Sequence, residues 1–119
     1  MKILIVDDNQ SVATVIQIML EQKGYEVSSA FNGLEGYSEY FHFQPDLVIT
    51  DIQMPGENGF ELINHIREQD PSVKAIYMSA NLDQFNSFLE EEKRKFQIHT
   101  LSKPFLMDDL INQVSEFNN

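Results

Sequence analysis

The sequence predicts an α/β domain: a parallel sheet with helices on its faces. Three observations carry that reading. Apolar runs alternate with amphipathic stretches from one end of the chain to the other, the pattern of strands joined by crossover helices. The strongest runs, Ile3-Leu4-Ile5-Val6 and Leu47-Val48-Ile49, show no in-out alternation, as strands covered on both faces require. Several runs end in a carboxylate or a small polar residue, at Asp7-Asp8, Asp51 and Ser79. Those are the strand ends beside which open α/β sheets bind ligands.

Taken in order, the first strand is Ile3 to Val6. A helix follows to about Lys23, capped by Asp8 or Asn9, with Val12, Ile16, Met19 and Leu20 on its apolar face and Gly24 as its stop. Tyr25 to Ala30 is a more polar strand, carrying Ser28 and Ser29, and belongs at an edge. Asn32-Gly33 opens a second helix, about Leu34 to Phe43, which Pro45 closes. The run ending at Asp51 is a central strand; an unpaired carboxylate is costly to bury, so Asp51 belongs at the strand's lip. Met54-Pro55-Gly56 lies in the loop after it. A third helix runs from about Phe60 to Gln69 through Leu62, Ile63 and Ile66, and Ala75 to Met78 is the fourth strand, ending at Ser79-Ala80. Leu82, Phe85, Phe88, Leu89 and Phe96 mark a fourth helix, whose block Glu90-Glu91-Glu92-Lys93-Arg94-Lys95 reads as a solvated face with acids three and four residues before bases. Ile98 to Ser102 is the last strand, and the fifth helix runs from about Met107 to Phe117 through Leu110, Ile111 and Val114.

A chain of 119 residues fits one domain, and no repeat, linker or low-complexity segment interrupts it. With no Cys there are no disulfides, thiolate metal sites or Cys nucleophiles. Nineteen acidic against eight basic residues give a net charge of −11, which opposes binding to nucleic acid or to an anionic membrane. The first residues are too short an apolar run for a signal peptide, and no later segment approaches the roughly 20 apolar residues of a membrane span. The expected setting is cytoplasmic.

If the first and third strands are neighbours, Asp7, Asp8 and Asp51 crowd one small site, where like charges raise each other's pKa or demand a cation. All-oxygen ligands suit a hard divalent ion, and magnesium typically takes one or two carboxylates, waters and a phosphate oxygen. A carboxylate nucleophile can then attack phosphorus, with the ion and the Lys103 ammonium neutralising the transferring group and the Ser79 hydroxyl bonding one of its oxygens. Taken singly, each residue has a plainer reading: a helix cap for Asp7-Asp8, a turn for Ser79, a surface lysine for Lys103. The conjunction at successive strand ends carries the chemistry. His42, His65 and His99 have no partner at useful spacing and read as surface or partly packed residues.

Asp7-Asp8, Asp51 in an Asp-x-x-Met-Pro-Gly setting, Ser79-Ala80 and Lys103-Pro104-Phe105 together resemble the response-regulator receiver domains of two-component signalling, across essentially the whole chain. The resemblance implies a flavodoxin-like (βα)5 sandwich with strand order 2-1-3-4-5. It implies Asp51 as phosphoacceptor and Mg2+ held by Asp8 directly, by Asp7 through water, by Asp51 and by the Gln53 backbone carbonyl. Ser79 and Lys103 complete the catalytic set, and the Lys103-Pro104 bond is expected to be cis. It further implies a signalling domain with only self-phosphorylation and autodephosphorylation as its chemistry. The implied partners are a histidine kinase or phosphotransfer protein and a downstream protein target. Residues 1–119 are expected to form one receiver with no output domain, monomeric or weakly dimeric. The chain departs from the family at Thr100, where a Tyr or Phe usually stands three residues before the Lys, and the span from Ser79 to Lys103 is long. Thr100 motivates an alternative, a receiver-shaped interaction module that works without phosphorylation. A flavodoxin-type cofactor binder is the other rival, though Asp7-Asp8-Asn9-Gln10 lacks the hydroxyls and Gly that such a phosphate loop needs.

Overall fold

A computed structural model describes residues 1–118. Five strands, β1 (Lys2–Val6), β2 (Glu26–Ala30), β3 (Leu47–Asp51), β4 (Ala75–Ser79) and β5 (Ile98–Ser102), alternate with helices α1 (Gln10–Gln22), α2 (Gly33–Phe43), α3 (Gly59–Gln69), α4 (Asn86–Lys95) and α5 (Met107–Phe117). The sheet is wholly parallel with order β2-β1-β3-β4-β5, as expected. Because β1, β3 and β4 are central, Ile3 to Val6, Leu47 to Ile49 and Ala75 to Met78 are fully buried, which explains their unbroken apolar runs.

Side chains alternate across the sheet and divide the core in two. Leu4, Val6, Val48 and Tyr77 pack with Leu62, Ile63 and Ile66 of α3 and Leu89 of α4. Ile3, Ile5, Ile49 and Met78 pack with Ala13, Ile16 and Leu20 of α1 and Leu110 and Val114 of α5. Among the described residues no helix is long and apolar enough to cross a membrane.

Local chemistry sets the boundaries. Asn9 caps α1, its side chain accepting from the Val12 N–H at 3.2 Å, which leaves both Asp7 and Asp8 to the rim. Asn58 and Glu61 form a reciprocal capping box at the start of α3. β2 begins at Glu26, one residue later than expected, and is an edge strand as its polarity suggested. Its serines are nonetheless engaged: Ser29 Oγ donates to Gln17 of α1 and Ser28 Oγ to Glu39 of α2, each at 2.5 Å.

Two features of the fourth helical segment differ from the sequence reading. The segment splits into a 3-10 turn, Leu82–Phe85, and α4, with Phe96 beyond its end in extended conformation. The turn's 3.0-residue period brings Leu82 and Phe85 to the same side, where both pack on the core. The charged block is also not wholly solvated. Glu91, Lys93, Arg94 and Lys95 are exposed, but Glu92 is 7% exposed and pairs with Arg67 of α3 at 2.9 Å.

Candidate functional site

Parallel pairing of β1 with β3, Val6 beside Thr50, brings Asp7 and Asp51 to one rim. Asp7 is fully buried, Asp51 is 9% exposed and Asp8 is exposed. Each can place an oxygen within 4.8 Å of the others. Among the described residues this trio is the one cluster with metal-ligand spacing, and it contains no His. All-oxygen donors with two buried carboxylates fit a hard divalent cation.

Lys103 arrives from the far edge. Its backbone N–H donates to the Ser79 carbonyl at 2.9 Å, and the Lys103-Pro104 bond that follows is cis. Its ammonium donates to Asp7 Oδ2 at 2.9 Å and Asp51 Oδ2 at 3.2 Å, so one cation lies between two carboxylates. Burial pushes the Asp51 carboxyl up, Lys103 opposes it and Asp7 adds to it, with a net rise above the ordinary carboxylate value. For Lys103 burial acts downward, but the hydrogen bond to Asp7 and the charges of Asp51 and Asp7 outweigh it and hold the ammonium above its ordinary value.

Ser79 is 1% exposed. Its Oγ accepts from the Asn81 N–H at 2.9 Å and donates to Gln53 Oε1 at 3.3 Å, and Asn81 Nδ2 donates to the same Gln53 oxygen at 3.2 Å. The Gln53 side chain therefore ties Ser79 to Asn81. Asn81 escaped the sequence reading; its signal was a polar residue two places past Ser79 in a loop on the same rim. Gly59 escaped it too: a Cβ there would come within 2.4 Å of the Asp51 carbonyl oxygen, so α3 starts directly against the backbone of Asp51. The histidines lie outside the trio, although two of them have partners the sequence did not reveal: His65 with Glu57 at 2.8 Å and His99 with Glu116 at 3.0 Å.

Residues 3–115 match the response regulator receiver domain family. The chain belongs to that family, and so to two-component signalling. It is 30% identical over 118 residues to sporulation initiation phosphotransferase F of Bacillus subtilis, covering 98% of this chain and 92% of that one. Chemotaxis protein CheY4 of Vibrio cholerae superposes with a TM-score of 0.87 at 26% identity, covering 98% and 97% of the two chains. Response regulator protein TrrA of Thermotoga maritima, solved in complex with Mg2+ and BeF, superposes with a TM-score of 0.84 at 32% identity, covering 98% and 97%. Receiver domains are signalling domains, not enzymes in the usual sense. They bind Mg2+ at the acidic pocket and act between histidine kinases or phosphotransfer proteins and downstream targets. Membership in this family replaces the flavodoxin-type alternative.

Proposed function

We propose that this receiver accepts a phosphoryl group on Asp51 from a phosphohistidine of a kinase or phosphotransfer protein, and signals through a protein surface that responds to it. The observation that carries the reading is Asp51 at the end of a central strand, with Asp7 and Asp8 within ligand distance and Lys103 bonded to both buried carboxylates. In the transfer an Asp51 carboxylate oxygen bonds to phosphorus, the bond from phosphorus to the donor's imidazole nitrogen breaks, and that nitrogen keeps the electron pair. Asp7, Asp8, Asp51 and the Gln53 carbonyl would hold Mg2+, which when bound supplies positive charge to the phosphoryl oxygens. Lys103 favours the ionised form of Asp51 against burial and adds a second cation. The Ser79 hydroxyl, held here by Gln53 and Asn81, is the donor available to a phosphoryl oxygen.

A groove of about 520 Å³ adjoins Lys103, lined chiefly by Val12, Val15, Ile16 and Met19 of α1 and by Pro104 and Phe105. Val15 is 50% exposed and Leu106 nearby in sequence is 72% exposed. Its continuity with the site, through Lys103, supports this apolar groove as the surface that meets the phosphodonor.

One observation favours the alternative that needs no phosphorylation. Thr100 pairs in register with Tyr77 and lines a pocket of about 400 Å³ with Lys93, Ile98, His99 and Gln113, so no aromatic ring fills that place. Titration with fluoroberyllate and Mg2+, followed by amide NMR, separates the two. Saturable shifts at Asp51, Ser79 and Lys103 that vanish in Asp51→Asn support the proposal. Partner affinity unchanged across wild type, Asp51→Asn and the analogue-bound form supports the alternative.

A further inference from the structure

Helix α4 is held in an unusual way. It has two buried residues, Leu89 and the carboxylate Glu92, and it begins without a side-chain cap. Glu92 meets a donor from each of two other elements. Tyr77 Oη of β4 donates to Oε1 at 3.1 Å; Arg67 of α3 approaches Oε1 through Nη2 at 2.9 Å and Oε2 through Nη1 at 3.2 Å. Tyr77 is fully buried and the Arg67 side chain is 8% exposed, with its guanidinium 3.4 Å from the centre of the Phe96 ring just past α4. A buried ion pair adds little net stability over an apolar substitute, but it admits few geometries. The position of α4 is therefore set by where one carboxylate can reach both partners.

Both partners of that carboxylate stand on elements that reach the site: Tyr77 on β4, which ends at Ser79, and Arg67 on α3, which begins at Gly59. Tyr77 and Ser79 share one face of β4, two residues apart. The Tyr77 ring packs 4.8 Å from Phe60, which in turn packs against Phe85 and Phe88 at 5.5 and 4.1 Å. Phe60 directly follows Gly59, whose backbone lies against Asp51. Ser79 is thus joined to Tyr77 through Met78, and Asp51 approaches the Tyr77 ring through Gly59 and Phe60. No aromatic ring at position 100 provides a second route.

We infer that Tyr77, Glu92 and Arg67 form a latch that fixes α4 in this position, and that loading of Asp51 releases it. The inference rests on the phosphorylation reading above. These three are positioning residues, acting on the site only through β4 and α3. Linkage makes the effect reciprocal: a latch that opposes the loaded state lowers the affinity of the site for a phosphoryl analogue, and removing it raises that affinity.

The test is calorimetric titration of the whole protein with fluoroberyllate in excess Mg2+. Tyr77→Phe, which keeps the ring and loses the donor, should bind at least about fivefold more tightly than wild type, the lower bound for typical coupling between sites. A folded variant with wild-type or weaker affinity overturns the latch, since a merely structural hydroxyl would lower melting temperature and leave affinity alone. Hydrogen exchange on wild type gives an answer that needs no variant: amides of residues 89–95 should exchange faster with the analogue bound, and equal or slower exchange overturns the inference. Wild type that binds no analogue at all overturns the phosphorylation reading and the latch together, whereas binding without these differences overturns the latch alone.

Discussion

Lys103 is one ammonium shared by two buried carboxylates, and the charges around it make opposite demands on substitution. Removing it leaves Asp7 and Asp51 without the cation that lies between them. Lys103→Ala should destabilise the fold by about 3 kcal/mol, the low end for breaking a buried pair because Lys103 keeps 22% side-chain exposure. Mg2+ should restore part of that loss, as any ligand bound only by the native state does. Urea unfolding in chelator and in Mg2+ reads both effects, and a variant as stable as wild type in chelator would speak against them. Asp51→Asn should act the other way. The folded-state pKa of Asp51 lies above its ordinary value, so the native state binds that proton more tightly than the unfolded chain, and stability falls as pH rises through and above the carboxylate range. At neutral pH without divalent ions Asp51→Asn should melt higher than wild type. The gap should close as pH drops through about 4, where the unfolded carboxylate protonates; a lower melting temperature at pH 7 would contradict the sign.

The elements show what periodicity can and cannot reveal. β1, β3 and β4 were legible because burial on both faces leaves no room for polar residues, and the rim residues because they stand where those runs stop. Glu92 was not legible. Its neighbours Glu91 and Lys95 do form the exposed pair that their spacing suggested, at 3.0 Å, and nothing local marks Glu92 as the one that turns inward. The partners that draw it in, Tyr77 and Arg67, are 15 and 25 residues away in the chain. Gly59 was silent for a similar reason, since its lack of a side chain matters only once α3 is seated against β3. Gly59→Ala forces a methyl group to within 2.4 Å of a backbone oxygen. It should cost about 3 kcal/mol, the upper part of the range for overpacking, and should shift the amide signals around Asp51; urea unfolding with NMR of the same sample checks both. A variant of wild-type stability with unmoved Asp51 signals would show that α3 can back away freely.

At the scale of the molecule, a net charge of −11 surrounds the site that we propose receives an anionic group. The sheet order resolves the conflict by placing three carboxylates and one lysine on a single rim: the carboxylates suit a divalent cation, and the lysine already holds two of them. The strand order entered the sequence reading by resemblance; the residues alone led only as far as a parallel sheet with polar groups at the ends of its strands. The central claim is that this rim makes Asp51 a phosphoacceptor. Its most direct test is intact mass and peptide mapping after incubation with acetyl phosphate and Mg2+. Wild type should gain one phosphoryl adduct, mapped to Asp51, and none should form with chelator or in Asp51→Asn. An adduct on another residue, or no adduct on a wild-type protein shown to be folded, would contradict the account.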